Sequence, residues 1–127
     1  ALKINPSDEI IWTNKGNILY DQGKYDEALK CFDRALSLNQ NDVITWNARG
    51  NLFYTMENYK EALKCLDKSL SLRPDDPESL NLKGNILYYT GEYKEALDCY
   101  NRSLKINPNN EGARNNRKVL MKIYNTE

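Results

Sequence analysis

The sequence contains no histidine, which removes at once the commonest general acid–base group and the commonest metal ligand. No nucleophile clustered with a base and no glycine-rich phosphate loop takes its place, so the chain reads as noncatalytic. It also lacks net charge: 18 Lys and Arg against 18 Asp and Glu leave no excess to draw it to nucleic acid or an anionic membrane surface. No apolar run approaches the ~20 residues of a membrane span, and no charged-then-apolar leader precedes the first helical pattern. There is no CxxC pair either. The three cysteines stand alone, and without histidine they form no metal-ligand set, so neither metal nor cofactor is expected.

What is present is periodic. Gly16, Gly50 and Gly84, Tyr25, Tyr59 and Tyr93, Ala28, Ala62 and Ala96, and Cys31, Cys65 and Cys99 all recur at a spacing of 34. Trp12 and Trp46 are answered by Leu80, and Phe32 and Leu66 by Tyr100. A fixed period of this length means stacked units rather than one globular core. Within a unit, Trp12, Gly16 and Leu19 follow helical spacing, and Ala28, Leu29, Phe32, Ala35 and Leu36 resume it after a break, so each unit is two helices.

With a large apolar residue, Gly four later, then Ala, an aromatic and Pro, the chain resembles the tetratricopeptide repeat family over nearly its whole length. The resemblance implies an all-α, right-handed superhelical solenoid. In that register three helix-turn-helix repeats occupy 9–42, 43–76 and 77–110, and a C-terminal capping helix occupies 111–127. Residues 1–8 read as the tail of a preceding repeat, because Ala1 to Pro6 parallels Ser103 to Pro108, and a longer array is therefore expected. In the family the Gly and Ala positions are where paired helices touch.

The turns carry Gly23 and Gly91, suited to a left-handed helix end, whereas the middle repeat has Glu57 there with Asn58 one place later, which predicts strain. Pro74 and Pro108 stop helices, and Asp or Asn caps the next. The first repeat has Gln40 at that point, leaving Asn41 and Asp42 as caps. In the last segment Ala113, Leu120, Ile123 and Tyr124 are assigned to packing, and Arg114, Arg117, Lys118 and Lys122 to one basic stripe on a wetted face. Cysteines one repeat apart are too distant to bridge, so free buried thiols and a reducing, cytoplasmic location are expected.

A second face of each first helix lies outside the core pattern. The resemblance implies that it lines a ligand groove, with Thr13, Asn17 and Tyr20, then Asn47, Asn51 and Tyr54, then Glu78, Asn81, Asn85, Tyr88 and Tyr89 as candidates. Asn both donates and accepts, so Asn17, Asn51 and Asn85 suit successive peptide groups of an extended chain, while the tyrosines add rigid area with a polar end. The same residues equally suit contacts with neighbouring helices. Some family members grip an acidic chaperone C-terminus with Lys, Arg and Asn. Here Asn17 matches, but Thr13, Ala48, Glu78 and Leu82 stand where such residues would be needed. A neutral or basic protein or peptide segment is therefore the expected partner. The alternatives are a structural spacer, self-association through exposed repeat ends, or the substrate-recruiting arm of an enzyme.

Overall fold

The computed structural model describes residues 8–125, with side chains to Ile123. Most of the proposed preceding-repeat tail and the Tyr124 side chain lie outside the described residues. Seven helices follow in order: α1 Glu9–Asp21, α2 Tyr25–Leu38, α3 Val43–Thr55, α4 Tyr59–Leu72, α5 Pro77–Tyr89, α6 Tyr93–Ile106 and α7 Glu111–Asn125. They form three antiparallel pairs and a closing helix, the tetratricopeptide architecture. Two compact units divide them between Leu72 and Arg73, α1–α4 in the first and α5–α7 in the second. No helix among the described residues is long and apolar enough to cross a membrane.

Each pair is closed by the same turn. After α1, Gly23 N donates to Tyr20 O and Lys24 N to Leu19 O, the paired bonds of a Schellman ending. Glu57 and Asn58 repeat this with Tyr54 O and Phe53 O, as do Gly91 and Glu92 with Tyr88 O and Leu87 O. That pattern fixes which residue must turn left-handed. Gly23 and Gly91 sit at φ 78° and 84°, and Glu57 is forced to φ 61°. Asn58 does not take over the role, because its Oδ1 accepts from Glu61 N at the start of α4.

The capping oxygens act unevenly. Asp8 Oδ1 accepts from Ile10 N, Asp42 Oδ1 from Ile44 N and Thr45 N, and Asn110 Oδ1 from Ala113 N. Asp42, not Asn41, thus supplies the oxygen that begins α3. Asp76 instead spends its carboxylate on the Ser79 hydroxyl at 2.6 Å, with Pro77 opening α5 behind it.

Close approach within pairs explains the glycines. A Cβ on Gly16 would meet Phe32 Cε1 at 2.6 Å, and one on Gly84 would meet Tyr100 Cε1 at 2.7 Å. In the first unit Ala28, Phe32 and Leu52 form a buried cluster joined by Leu19, Tyr20, Tyr25, Leu29 and Ala48. In the second, Leu87, Ala96, Cys99, Tyr100, Leu104, Ala113 and Leu120 do the same. Ala113 and Leu120 therefore dock α7. Ile123, assigned to packing, is instead 40% exposed, a correction: it falls beyond Leu120, the last buried position of α7 among the described side chains. Arg117 also leaves the wetted stripe: it is partly buried and its Nη1 donates to Asn101 Oδ1 at 3.5 Å. The three cysteines are free and buried.

Candidate functional site

The face of α1 and α3 in the first unit is held together by two polar chains. Near the helix starts, Thr13 Oγ1 lies 2.7 Å from Thr45 Oγ1, and Thr45 Oγ1 lies 2.7 Å from Asp42 Oδ2. A carboxylate only accepts, so Thr45 gives its proton to Asp42, while Thr13 Oγ1 donates to Glu9 O at 2.9 Å and lies against the Thr45 hydroxyl. Thr13 is consequently buried between the helices. It nonetheless borders a cleft at this end of the helices, its short side chain held by the Glu9 carbonyl and the Thr45 hydroxyl.

At the other end of these helices the residues close a small ring. Asn51 Nδ2 donates to Tyr20 Oη at 3.3 Å, Tyr20 Oη lies 2.6 Å from Thr55 Oγ1, and Thr55 Oγ1 donates to Asn51 O at 3.0 Å. One set of protons satisfies all three, with Tyr20 donating to Thr55. The ring also packs against its own turn, since Tyr20 and Tyr25 lie 5.6 Å apart and Tyr54 and Tyr59 6.0 Å apart, both tilted. Asn51 Oδ1 makes no hydrogen bond among the described residues. Asn17, one repeat earlier, is exposed, and Asn47 is half-buried.

At the helix starts is an open cleft of about 350 Å³ bordered by Glu9, Ile10, Thr13, Asn14, Asn39, Asp42 and Ile44. Ile10 and Ile44 are largely exposed. The rim holds two carboxylates and no cation.

The second unit treats its asparagine differently. Tyr100 stands where the first repeat has Phe32, so its ring fills the core and its hydroxyl needs a partner there. It donates to Asn85 Oδ1 at 2.6 Å, and Asn116 Nδ2 of α7 donates to the same oxygen at 3.0 Å and to Tyr100 Oη at 3.2 Å. Asn85 is thus half internal, and sequence reasoning missed both partners. The Phe-to-Tyr exchange at an otherwise apolar position was the available signal. Asn81 is half-buried and its Oδ1 has no hydrogen-bond partner among the described residues. Glu78 and Tyr89 are exposed, and Tyr88 packs edge-on against Tyr89 and tilted against Tyr93.

Burial pushes the thiols of Cys31, Cys65 and Cys99 above their ordinary pKa, with nearby Lys15, Arg49 and Lys83 respectively pulling less strongly the other way. They are protonated packing groups at neutral pH rather than nucleophiles.

No match was found among curated proteins. Among solved structures, the first TPR domain of Spaghetti (RPAP3), bound to the HSP90 peptide SRMEEVD, superposes with a TM-score of 0.89 at 20% identity, covering 98% of each chain. The Arabidopsis OM64 TPR domain also gives 0.89, at 21% identity over 94% of this chain and 99% of that one. The first TPR domain of human RPAP3 gives 0.87 at 22% identity over 94% of each. At these identities the likeness is one of fold. The tetratricopeptide repeat model itself matches residues 10–42, 43–76 and 77–110, and the chain therefore belongs to the tetratricopeptide repeat family.

Proposed function

We propose that this chain is a noncatalytic scaffold that holds a peptide segment or helix of a partner protein on the first-helix face of α1 and α3. Tetratricopeptide domains mediate protein–protein interactions and are typically noncatalytic. The observation that carries the reading is the pairing of open polar and apolar groups on this face. Asn17 and Asn51 Oδ1 are available to peptide groups, and the exposed Ile10 and Ile44 flank a cleft for a side chain. Tyr20 and Tyr54, tied into the turns, offer area that is already ordered, so little side-chain entropy is lost on binding.

The ligand's charge follows from the rim. The Spaghetti domain was solved with SRMEEVD, which carries three acidic side chains. Here Glu9 and Asp42 border the cleft without a compensating Lys or Arg, which supports a neutral or basic segment. Three buried thiols support work in a reducing, cytoplasmic setting.

The test is a peptide array probed with the intact chain and with an Asn17→Ala, Asn51→Ala variant of verified helicity. Asn85 is left in place, because its loss would unsatisfy Tyr100 inside the core. Hits depleted in acidic residues and lost in the variant support the reading. Hits indifferent to the variant, or none, would replace it with a spacer or assembly role.

A further inference from the structure

The ring of Tyr20, Thr55 and Asn51 fixes more than the position of the asparagine. Thr55 has one hydroxyl proton and gives it to Asn51 O, so the Tyr20 proton must fill the 2.6 Å contact with Thr55 Oγ1. With that proton committed, Tyr20 Oη can only accept from Asn51, and the group facing it at 3.3 Å is the Nδ2 donor. A reversed amide would set Oδ1 against Tyr20 Oη, two oxygens with no proton between them. Asn51 is therefore held with Oδ1 turned away from the ring, and that oxygen makes no hydrogen bond among the described residues.

The equivalent asparagines show that the neighbours, not the residue type, set this polarity. Asn17 is exposed and makes no hydrogen bond among the described residues, so either end of its amide can meet a ligand. Asn85, in the second unit, is held the opposite way. Its Oδ1 accepts from Tyr100 Oη and from Asn116 Nδ2, which leaves Nδ2 as the group without a partner among the described residues. The hydroxyl that decides the matter for Asn51 belongs to Thr55, at a position held by Asp21 one repeat earlier and Tyr89 one repeat later.

We infer that Thr55 is a positioning residue: acting through Tyr20, it presents Asn51 to the bound segment as a hydrogen-bond acceptor, so the segment must bring an N–H donor to that point. The bound segment rests on the scaffold reading above, and the lock on the ring alone. The donor is a backbone amide or the side chain of Lys, Arg, Asn or Gln. A carboxylate has only lone pairs to set against Oδ1, so acidic side chains are turned away here by an oriented amide as well as by the carboxylates of the cleft rim.

The test compares the intact chain with Thr55→Val, which keeps the branched shape and removes the hydroxyl, and with Thr55→Ser, which restores it. Thr55 is exposed at the end of α3, and circular dichroism checks that each variant stays helical. The first readout needs no ligand: the nuclear Overhauser effect between the Asn51 Nδ2 protons and the Tyr20 ring in isotope-labelled protein. We expect it in the wild type and in Thr55→Ser. It should be lost in Thr55→Val, where the Tyr20 proton is released and Asn51 turns Oδ1 inward to take it. The second readout is a peptide array in which each wild-type hit is resynthesised with Gln, Lys and Glu at every position in turn. At one position the wild type and Thr55→Ser should bind the Glu peptide about tenfold more weakly than the Lys peptide, and Thr55→Val should lose or reverse that order. An Overhauser effect unchanged in Thr55→Val would overturn the lock whatever the array gives. An effect lost with the array preference unchanged would overturn the specificity role and leave the scaffold reading standing. An array without wild-type hits would remove that reading and the role with it.

Discussion

At the residue scale the most telling position is Glu57, a charged side chain held at φ 61° because the turn's hydrogen bonds leave no other residue for the place. The left-handed conformation costs an L-residue roughly 1–2 kcal/mol, and glycine gives back about 0.5–1 kcal/mol through its freer unfolded state. Glu57→Gly should therefore stabilise the chain by about 0.5–1 kcal/mol, read as a higher urea midpoint at unchanged m-value. An unchanged or lower midpoint would show that the turn is not strained. The helix-interior glycines invite the opposite comparison. Ala is favoured over Gly in a helix by about 1 kcal/mol, which competes with overpacking of about 1–3 kcal/mol. At Gly16 and Gly84 the added methyl meets a stiff aromatic ring at 2.6 and 2.7 Å, so Gly16→Ala and Gly84→Ala should destabilise. At Gly50 it meets the end of Leu66 at 3.1 Å, and Gly50→Ala should be close to neutral because a leucine end can shift. Denaturation midpoints that put Gly50→Ala below the other two would refute this ordering. The sequence pattern showed that these positions must be small, but it did not rank them, since the rank depends on which ring or methyl faces each one.

At the element scale, helix boundaries and pairings were legible because glycine, proline and acid caps recur with the period. What was not legible is how polar side chains choose among neighbours once the helices pack. Thr13 lines the cleft as its helical spacing suggests, yet its side chain is buried against Thr45 of the next repeat, a contact 32 residues away in the chain that spacing alone does not show. Asn85 was a fair groove candidate until Tyr100 and Asn116 claimed its oxygen. The Asp42 carboxylate bears on two consequences at once: it caps α3 and takes the Thr45 proton. Removing a cap costs about 1 kcal/mol, and a bond to a charged acceptor adds about 1.5–3 kcal/mol. Asp42→Ala should thus cost about 2.5–4 kcal/mol, against about 1 kcal/mol for Asp8→Ala, whose side chain accepts only from Ile10 N among the described residues. Equal losses for the two variants in equilibrium unfolding would mean the buried threonine chain contributes nothing beyond the cap.

For the molecule as a whole, the cysteines offer a property shared by both units. Cys31 and Cys65 lie in the first and Cys99 in the second, all three buried and all three with thiols pushed up chiefly by burial. In the unfolded chain they titrate near the ordinary value of about 8.5. Above that pH the unfolded state gives up thiol protons that the folded state keeps, so the unfolded state binds fewer protons and stability falls as pH rises. Below it both states are protonated and the thiols contribute no pH dependence. The decisive comparison is with a Cys31→Ala, Cys65→Ala, Cys99→Ala variant. That variant is expected to be less stable throughout, because each lost sulfur leaves a small cavity, but its deficit should be constant from pH 6 to about 8 and shrink above about 8.5. Unfolding free energies measured under reductant across this range check the sign. A deficit that stays constant to pH 10, or grows, would mean that the folded chain releases the thiol protons as readily as the unfolded one, and that Arg49 and the neighbouring lysines outweigh burial after all.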